Sequence, residues 1–214
     1  MSGFTFPLAF PTYTGVKGIV IRPRKVVGVN TSPGSLVSQV YEWPGERWEA
    51  DVSLPLMNRA AAEQWAAWML SLRGPVGSFL MGDPAGTTPR GAAATTPGTP
   101  QVDGAQAALL RTLAIKTGLG TTANYLRAGD WISLSTGSTR RLHKVLADAS
   151  LSSAGKVTLD IWPALRVAVT DSATIYVSST TGRFMLTGAA LDMSIDTASI
   201  YQPAVMGCIE DLRS

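Results

Sequence analysis

The chain has 214 residues, of which 45% are hydrophobic and only 15% are charged, and its formal net charge is +3. This net charge is too small to indicate nucleic-acid binding on its own, and the single cysteine, Cys208, excludes an intrachain disulfide framework. Because so few residues are charged, we expect much of the surface to be covered by copies of the chain or by other partners.

The N-terminal part of the sequence predicts an arm followed by a β-hairpin. Residues 1–15 are rich in proline and aromatic residues, which indicates an extended arm. A turn is predicted at residues 30–34, and a hairpin is predicted next, with strands at 36–43 and 46–54 joined by a turn at Pro44-Gly45. Its second strand alternates apolar and polar residues from Trp48 onwards, which is typical of a half-buried strand.

One long helix is predicted over residues 59–73. Asn58 is a favourable N-cap, and Gly74 followed by Pro75 is a favourable C-terminal end. At about 100° per residue, one face of this helix gathers its large apolar side chains, which predicts packing against a sheet. The residues predicted to form the core are Trp48, Trp65, Trp68, Met69 and Leu72.

The rest of the sequence predicts a domain inserted into another. Residues 85–100 are small and polar and indicate a linker. Short strands between turns follow at 101–182 and predict a small β-barrel-like domain. The strands predicted in 183–214 match those of 1–84 in length and alternation. The expected fold is therefore mainly β with one α-helix: a β-sandwich or sheet-plus-helix domain that carries an inserted small β domain.

No catalytic residue, cofactor site or metal site is predicted. His143 is the only histidine, whereas triads and histidine metal sites need partners at set positions. Cys208 lies in an apolar strand, where a buried and inert thiol is expected. The N-terminus lacks the features of a signal peptide, and no apolar run approaches the roughly 20 residues of a membrane span. We therefore expect a cytoplasmic protein that is not an enzyme.

The charged residues are unevenly distributed along the chain. Cations dominate from residue 111 to 144 and acids dominate from residue 192 onwards, which predicts a head-to-tail contact between copies. The alternative is that both groups simply face water. The possible interface residues are Arg111, Lys116, Arg127, Arg140, Arg141, Lys144, Asp192, Asp196, Glu210 and Asp211. Single-stranded nucleic acid is the less favoured partner of the basic stretch, because few aromatic residues are interleaved with its cations.

Several short motifs carry a resemblance to a known family. Trp43-Pro-Gly-Glu-Arg-Trp48 precedes the predicted helix, and Leu126-Arg-Ala-Gly-Asp-Trp-Ile132 and Ile161-Trp-Pro-Ala-Leu-Arg166 follow in the predicted insertion. With these packing and turn motifs, most of residues 36–186 resembles the minor tail and distal tail proteins of long-tailed, siphovirus-type bacteriophages and prophages.

The resemblance implies a structural protein without catalytic residues. It implies a β-sandwich with a flanking helix that assembles as a ring, a hexamer being favoured, at the end of the tail tube. The implied partners are the tail tube protein, the tail tip hub and other minor tail proteins, and the implied location is the virion tail tip after assembly in the bacterial cytoplasm. The alternative is a carbohydrate- or host-surface-binding module that presents Tyr125, Trp131 and Trp162 as an exposed, coplanar platform.

Overall fold

The computed structural model describes residues 3–11, 15–136, 139–188, 193–195, 200–203 and 205–213. Within these residues the chain is mainly β, with one α-helix and four sheets, none of which is closed into a barrel. The helix α1 spans Arg59–Leu72, and short 3-10 turns lie at Gly74–Val76 and Ala92–Ala94. The strands are β1 (Leu8–Ala9), β2 (Gly18–Thr31), β3 (Ser38–Ser53), β4 (Phe79–Met81), β5 (Gln101–Val102), β6 (Thr112–Lys116), β7 (Thr122–Leu126), β8 (Trp131–Thr136), β9 (Thr139–Val145), β10 (Ala149–Leu151), β11 (Lys156–Trp162), β12 (Ile175–Tyr176), β13 (Gly182–Leu186), β14 (Met193–Ile195), β15 (Tyr201–Pro203) and β16 (Met206–Glu210).

Two six-stranded sheets dominate the architecture. The first sheet has the order β1-β4-β13-β16-β3-β2, so its strands come from both ends of the chain. The second sheet has the order β12-β8-β9-β11-β6-β5, and all of its strands lie between residues 101 and 176. A barrel-like domain was expected here, but the strands of this sheet do not close into a barrel. A single bridge between Gln101 and Thr174 joins its two edges.

The helix begins and ends close to its predicted bounds. The side chain of Asn58 accepts a hydrogen bond from the Ala61 amide at 3.1 Å, which satisfies one of the free amides of the first turn. Arg73 and Gly74, with φ of 54° and 65°, end the helix in left-handed conformations.

The predicted core residues of the helix pack against the first sheet. Trp65, Met69 and Leu72 are buried, as predicted, in the same cluster as Trp48 of β3, whereas Trp68 is only half-buried. The indole Nε1 of Trp68 donates to the Ala9 carbonyl at 3.0 Å, so this side chain meets the N-terminal segment near the surface.

The predicted hairpin turn at Pro44-Gly45 is wrong. β3 runs through both residues without a break, and the turn of the hairpin lies instead between β2 and β3 at residues 32–37. The register shifts between Lys25 and Val27, opposite Pro44 and Gly45, so the Pro-Gly pair forms an irregularity within the ladder. Proline lacks the amide that the ladder requires, which explains the interruption without requiring a chain reversal.

Two segments expected to be loose are packed. The backbone amide of Leu8 donates to Ser78 of the first sheet, and Phe10 contacts Trp65 and Trp68 edge to face. In the predicted linker 85–100, Ala93 is buried in the core of the second sheet. The extended-arm and free-linker predictions were based on composition, which does not reveal contacts made with distant strands.

The two sheets share part of one hydrophobic core. Trp131 and Leu142 belong to the second sheet but are buried among residues of the first. Trp48 lies between Trp131 and Trp162, with ring centroids 4.9 and 4.3 Å away, and its Nε1 donates to the Leu142 carbonyl at 2.9 Å. No helix among the described residues is long and apolar enough to cross a membrane.

Candidate assembly surface

The outer half of the β2–β3 hairpin, residues 26–43, projects from the first sheet. We call it the arm from here on, and it is distinct from the N-terminal residues 1–15. β2 is an edge strand and pairs only with β3, while β16 pairs with β3 only at residues 49–52. Among the described residues, no further strand pairs with residues 26–43, and most of their side chains are exposed. Glu42 is the one charged residue of the arm, and residues 26–41 are uncharged and rich in apolar side chains.

The two faces of the arm are both apolar. Val29 and Val40 are cross-strand partners on one face, with 65% and 64% of their surface exposed. On the other face Trp43 is half-exposed and lies against Gly28, where an added Cβ would come within 2.9 Å of the indole ring. Exposed apolar side chains grouped in this way are typical of interaction sites.

The tip of the arm holds a leucine in an unusual backbone conformation. Leu36 has a φ of 57° and is 77% exposed, making it the most exposed large hydrophobic residue that the structure describes. Hydrogen bonds from the Leu36 amide to the Ser32 carbonyl and from the Ser32 amide to the Val37 carbonyl hold the turn. The left-handed region costs a residue with a Cβ about 1–2 kcal/mol, which glycine would avoid.

The root of the arm is fastened by ion pairs. Lys25 contacts Glu42 at 2.7 Å, and Arg111 of the second sheet region contacts both Glu42 and Glu46. Glu46 is buried, and its Oε2 accepts a hydrogen bond from the Ala164 amide at 2.9 Å. Its Oε1 lies 3.0 Å from Arg111 but lacks hydrogen-bond geometry, so we regard this contact as an ion pair. Hydrogen bonding to Lys25 and its charge lower the pKa of Glu42.

A cleft of about 620 Å³ opens beside this root. Its apolar wall includes Val26 and Pro44 of the hairpin together with Leu109, Leu165 and Leu212. A volume of this size lies in the range of sites that hold a bound side chain or ligand. The wall joins four separate parts of the chain, namely the hairpin, Leu109, Leu165 and Leu212, so only the folded molecule creates the cleft.

Glu210 and Asp211 lie in an internal charged cluster between the sheets. Arg166 pairs with Glu210 at 2.9 Å, and Arg183 pairs with Asp211 at 2.8 Å. Arg141 donates a hydrogen bond to the Asp211 carbonyl. Burial is the main cause of the lowered pKa of the Arg141 guanidinium. Burial raises the pKa of the Asp211 carboxyl, but hydrogen bonds from Arg213 and the charge of Arg183 outweigh it and leave this pKa lowered.

These contacts correct the predicted charge interface. Arg141, Glu210 and Asp211 are buried within one chain, so a neighbouring copy cannot reach their side chains. Their burial follows from long-range pairing between β9, β16 and the segment after β11, which their positions in the sequence do not reveal.

The other predicted interface residues are scattered. Arg111 holds the arm, and Lys116 pairs with Asp171 at 2.8 Å. Arg140 lies 4.1 Å from the ring centroid of Tyr176, and Lys144 lies 4.3 Å from that of Trp131. Arg127 is exposed, while Asp192 and Asp196 lie outside the described residues.

The three aromatic residues of the alternative sugar platform do not share a surface. Tyr125 is buried in the core of the second sheet, where burial raises its pKa to about 12. Trp131 is buried and Trp162 half-buried, both packed against Trp48 at steep angles of 61° and 78°. A sugar ring would require flat, accessible faces, which this packing occupies.

The histidine and the cysteine are both interior. His143 Nδ1 lies 2.8 Å from the Pro163 carbonyl, and burial, with nearby Arg166 and Arg141, lowers its pKa to about 4. Cys208 is buried, as predicted, and burial raises the pKa of its thiol to about 12. A protonated thiol is a poor nucleophile, so this group is chemically inert at neutral pH. The described residues contain no cluster of three or more acidic, histidine or cysteine ligands.

The arm is the feature that sequence reasoning missed. Its signal was present as an uncharged run of valines around a Ser-Pro-Gly turn, but the turn of the predicted hairpin was assigned to Pro44-Gly45.

Compared with protein-family models, the sequence matches none, and no curated protein matches it significantly.

Proposed function

We propose that this chain is a structural component of a bacteriophage tail tip, a distal tail protein that assembles into a homo-oligomeric ring. The ring, most simply a hexamer, would connect the tail tube to the tip hub. The family resemblance of residues 36–186 supplies this setting. The observation that carries the oligomer is the arm, whose apolar faces and uncharged sequence need a protein partner.

The first sheet also offers an edge for such a partner. Among the described residues β2 has no neighbour on its outer side, so one side of this 14-residue strand is an open sheet edge. Pro23 lies in this strand and limits pairing to part of its length. An exposed edge beside an apolar arm favours repeated contacts between identical chains over an isolated monomer.

The finer architecture belongs to the same proposal. We infer a β-sandwich-like domain with flanking helix, formed by 1–84 and 183–214, into which residues 101–182 are inserted. The sheet memberships support this division, since the second sheet draws only on 101–176. The shared packing around Trp48 would hold the insertion in a fixed position relative to the ring.

The experiment is to measure the mass of the purified chain by light scattering and to image it by negative-stain electron microscopy. We expect closed rings of uniform mass. The variant Val29→Lys/Val40→Lys places two charges on one face of the arm and should give folded monomers. Leu146→Lys, at an exposed leucine of the second sheet region, is the matched control and should leave rings intact. A wild-type chain that stays monomeric at all concentrations, also with tail-tip proteins added, contradicts the proposal.

The carbohydrate-binding alternative has no comparable support. The platform it requires is absent from Tyr125, Trp131 and Trp162 as they are packed.

A further inference from the structure

The described residues contain two large apolar residues with a left-handed backbone. Leu36 has a φ of 57°, and Leu109 has a φ of 68° and is 59% exposed. The other non-glycine residues with positive φ are Arg73, Asn124, Ser172 and Ser179, all of them polar or charged. Bulky residues rarely adopt this conformation, and where they do the surrounding structure holds them for a reason.

Each leucine is held in place by the backbone around it. Leu36 is fixed by the hydrogen-bonded turn at the tip of the arm. The Leu109 amide donates to the Leu165 carbonyl at 2.7 Å, and the Leu165 amide donates to the Leu110 carbonyl at 2.8 Å. Leu109 thus forms a fixed part of the wall of the cleft at the root of the arm.

We propose that these two sites are the two halves of one contact, in which the Leu36 tip of one copy docks in the Leu109-lined cleft of the next. This inference rests on the proposed ring and specifies how its copies meet. A projecting apolar group and a separate apolar cleft on the same molecule produce head-to-tail association, which closes into a ring at a suitable rotation.

The charges of the two sites are compatible with this contact. The tip is uncharged. In the cleft, Glu46 contacts Arg111, Arg47 pairs with Glu49, and Arg166 pairs with Glu210. Arg24 also lines the cleft and is exposed. An uncharged tip leaves the three ion pairs in place.

A chain cannot fill its own cleft. Val26 lines the cleft, and the paired strands continue from there to Thr31 before the turn begins. At about 3.3 Å per residue, the tip lies well over 15 Å from the cleft along a paired hairpin. A Leu36 tip that enters the cleft therefore belongs to a second copy.

The test uses substitutions that the left-handed backbone tolerates. Asparagine adopts positive φ readily, so Leu36→Asn and Leu109→Asn should each fold normally yet raise the dissociation constant of assembly about tenfold or more. Leu56→Asn, at a leucine with 64% exposure outside any helix or strand, is the matched control and should assemble like the wild type. Melting temperatures of the variants establish that the chains are folded.

A mixing experiment decides whether the two sites meet each other. Leu36→Asn keeps an intact cleft and Leu109→Asn keeps an intact tip, so an equimolar mixture should form 1:1 dimers that neither variant forms alone. Rings that persist in both single variants overturn this inference and leave the proposed ring standing. Loss of assembly in both variants without dimers in the mixture also overturns it. A monomeric wild-type chain removes the proposed ring and this contact together.

Discussion

At the scale of single residues, the buried charged and titratable groups between the sheets control stability. His143 is the clearest example, because burial and two nearby arginines lower its pKa to about 4. The unfolded chain has an ordinary histidine pKa of about 6.5 and binds the proton more readily. The buried histidine therefore costs no stability above pH 6.5. As pH falls towards 4, the free energy of unfolding decreases by roughly 3 kcal/mol.

The variant His143→Asn tests this pH dependence. Its amide can still donate to the Pro163 carbonyl but cannot titrate. We expect the difference in unfolding free energy between wild type and variant to shrink or reverse between pH 6.5 and 4, as measured by urea denaturation. A constant difference across that range would show that protonation of His143 does not lower the free energy of unfolding.

The Arg166–Glu210 pair is the second residue-scale case. Both side chains are largely removed from solvent, and Glu210 also accepts a hydrogen bond from the Trp48 amide at 3.1 Å. Arg166→Met leaves a buried carboxylate without its cation and should cost about 3–5 kcal/mol. Adding Glu210→Gln should recover part of that loss, which a double-mutant cycle measures. Additive losses would mean that the two residues act independently.

At the scale of elements, the helix and the arm show what local sequence reveals. The helix was predictable because its cap, its apolar face and its Gly-Pro end all lie within the segment itself. Pro44-Gly45 and Ser32-Pro33-Gly34 are equally good turn signals, so a turn was predicted at both, and only the one at Pro44-Gly45 is wrong. Whether the chain reverses at such a signal depends on which strands pair with β3. Those partners are β2 and β16, and β16 is distant from β3 in sequence.

The helix yields a prediction that separates its two tryptophans. Trp65 is fully buried, whereas Trp68 is half-buried. Trp65→Ala should lower the unfolding free energy by about 3–5 kcal/mol, and Trp68→Ala should cost clearly less. Equal losses in urea denaturation would mean that the N-terminal segment covers Trp68 as fully as the core covers Trp65.

At the scale of the whole molecule, three residues of the predicted charge interface lie inside the chain. An excess of cations in one region and acids in another predicted an interface, but the chain uses Arg141, Glu210 and Asp211 to join its own sheets. Sequence alone does not distinguish charges that pair within a chain from charges that pair between chains. The proposed assembly surface is instead the arm, which carries exposed apolar side chains and a single charged residue, Glu42.

Whether the interface consists of exposed charges or of apolar side chains determines how assembly should respond to salt. Contacts between exposed charges weaken as the Debye length falls to about 3 Å at 1 M salt, whereas apolar contacts do not depend on this screening. Sulfate strengthens apolar burial further, because it is excluded from protein surfaces. We therefore expect the dissociation constant of the ring, measured by light scattering, to stay constant in sodium chloride up to 1 M and to fall in sodium sulfate. Rings that dissociate progressively in sodium chloride would return the interface to the exposed cations such as Arg127 and exclude the arm as its main contact.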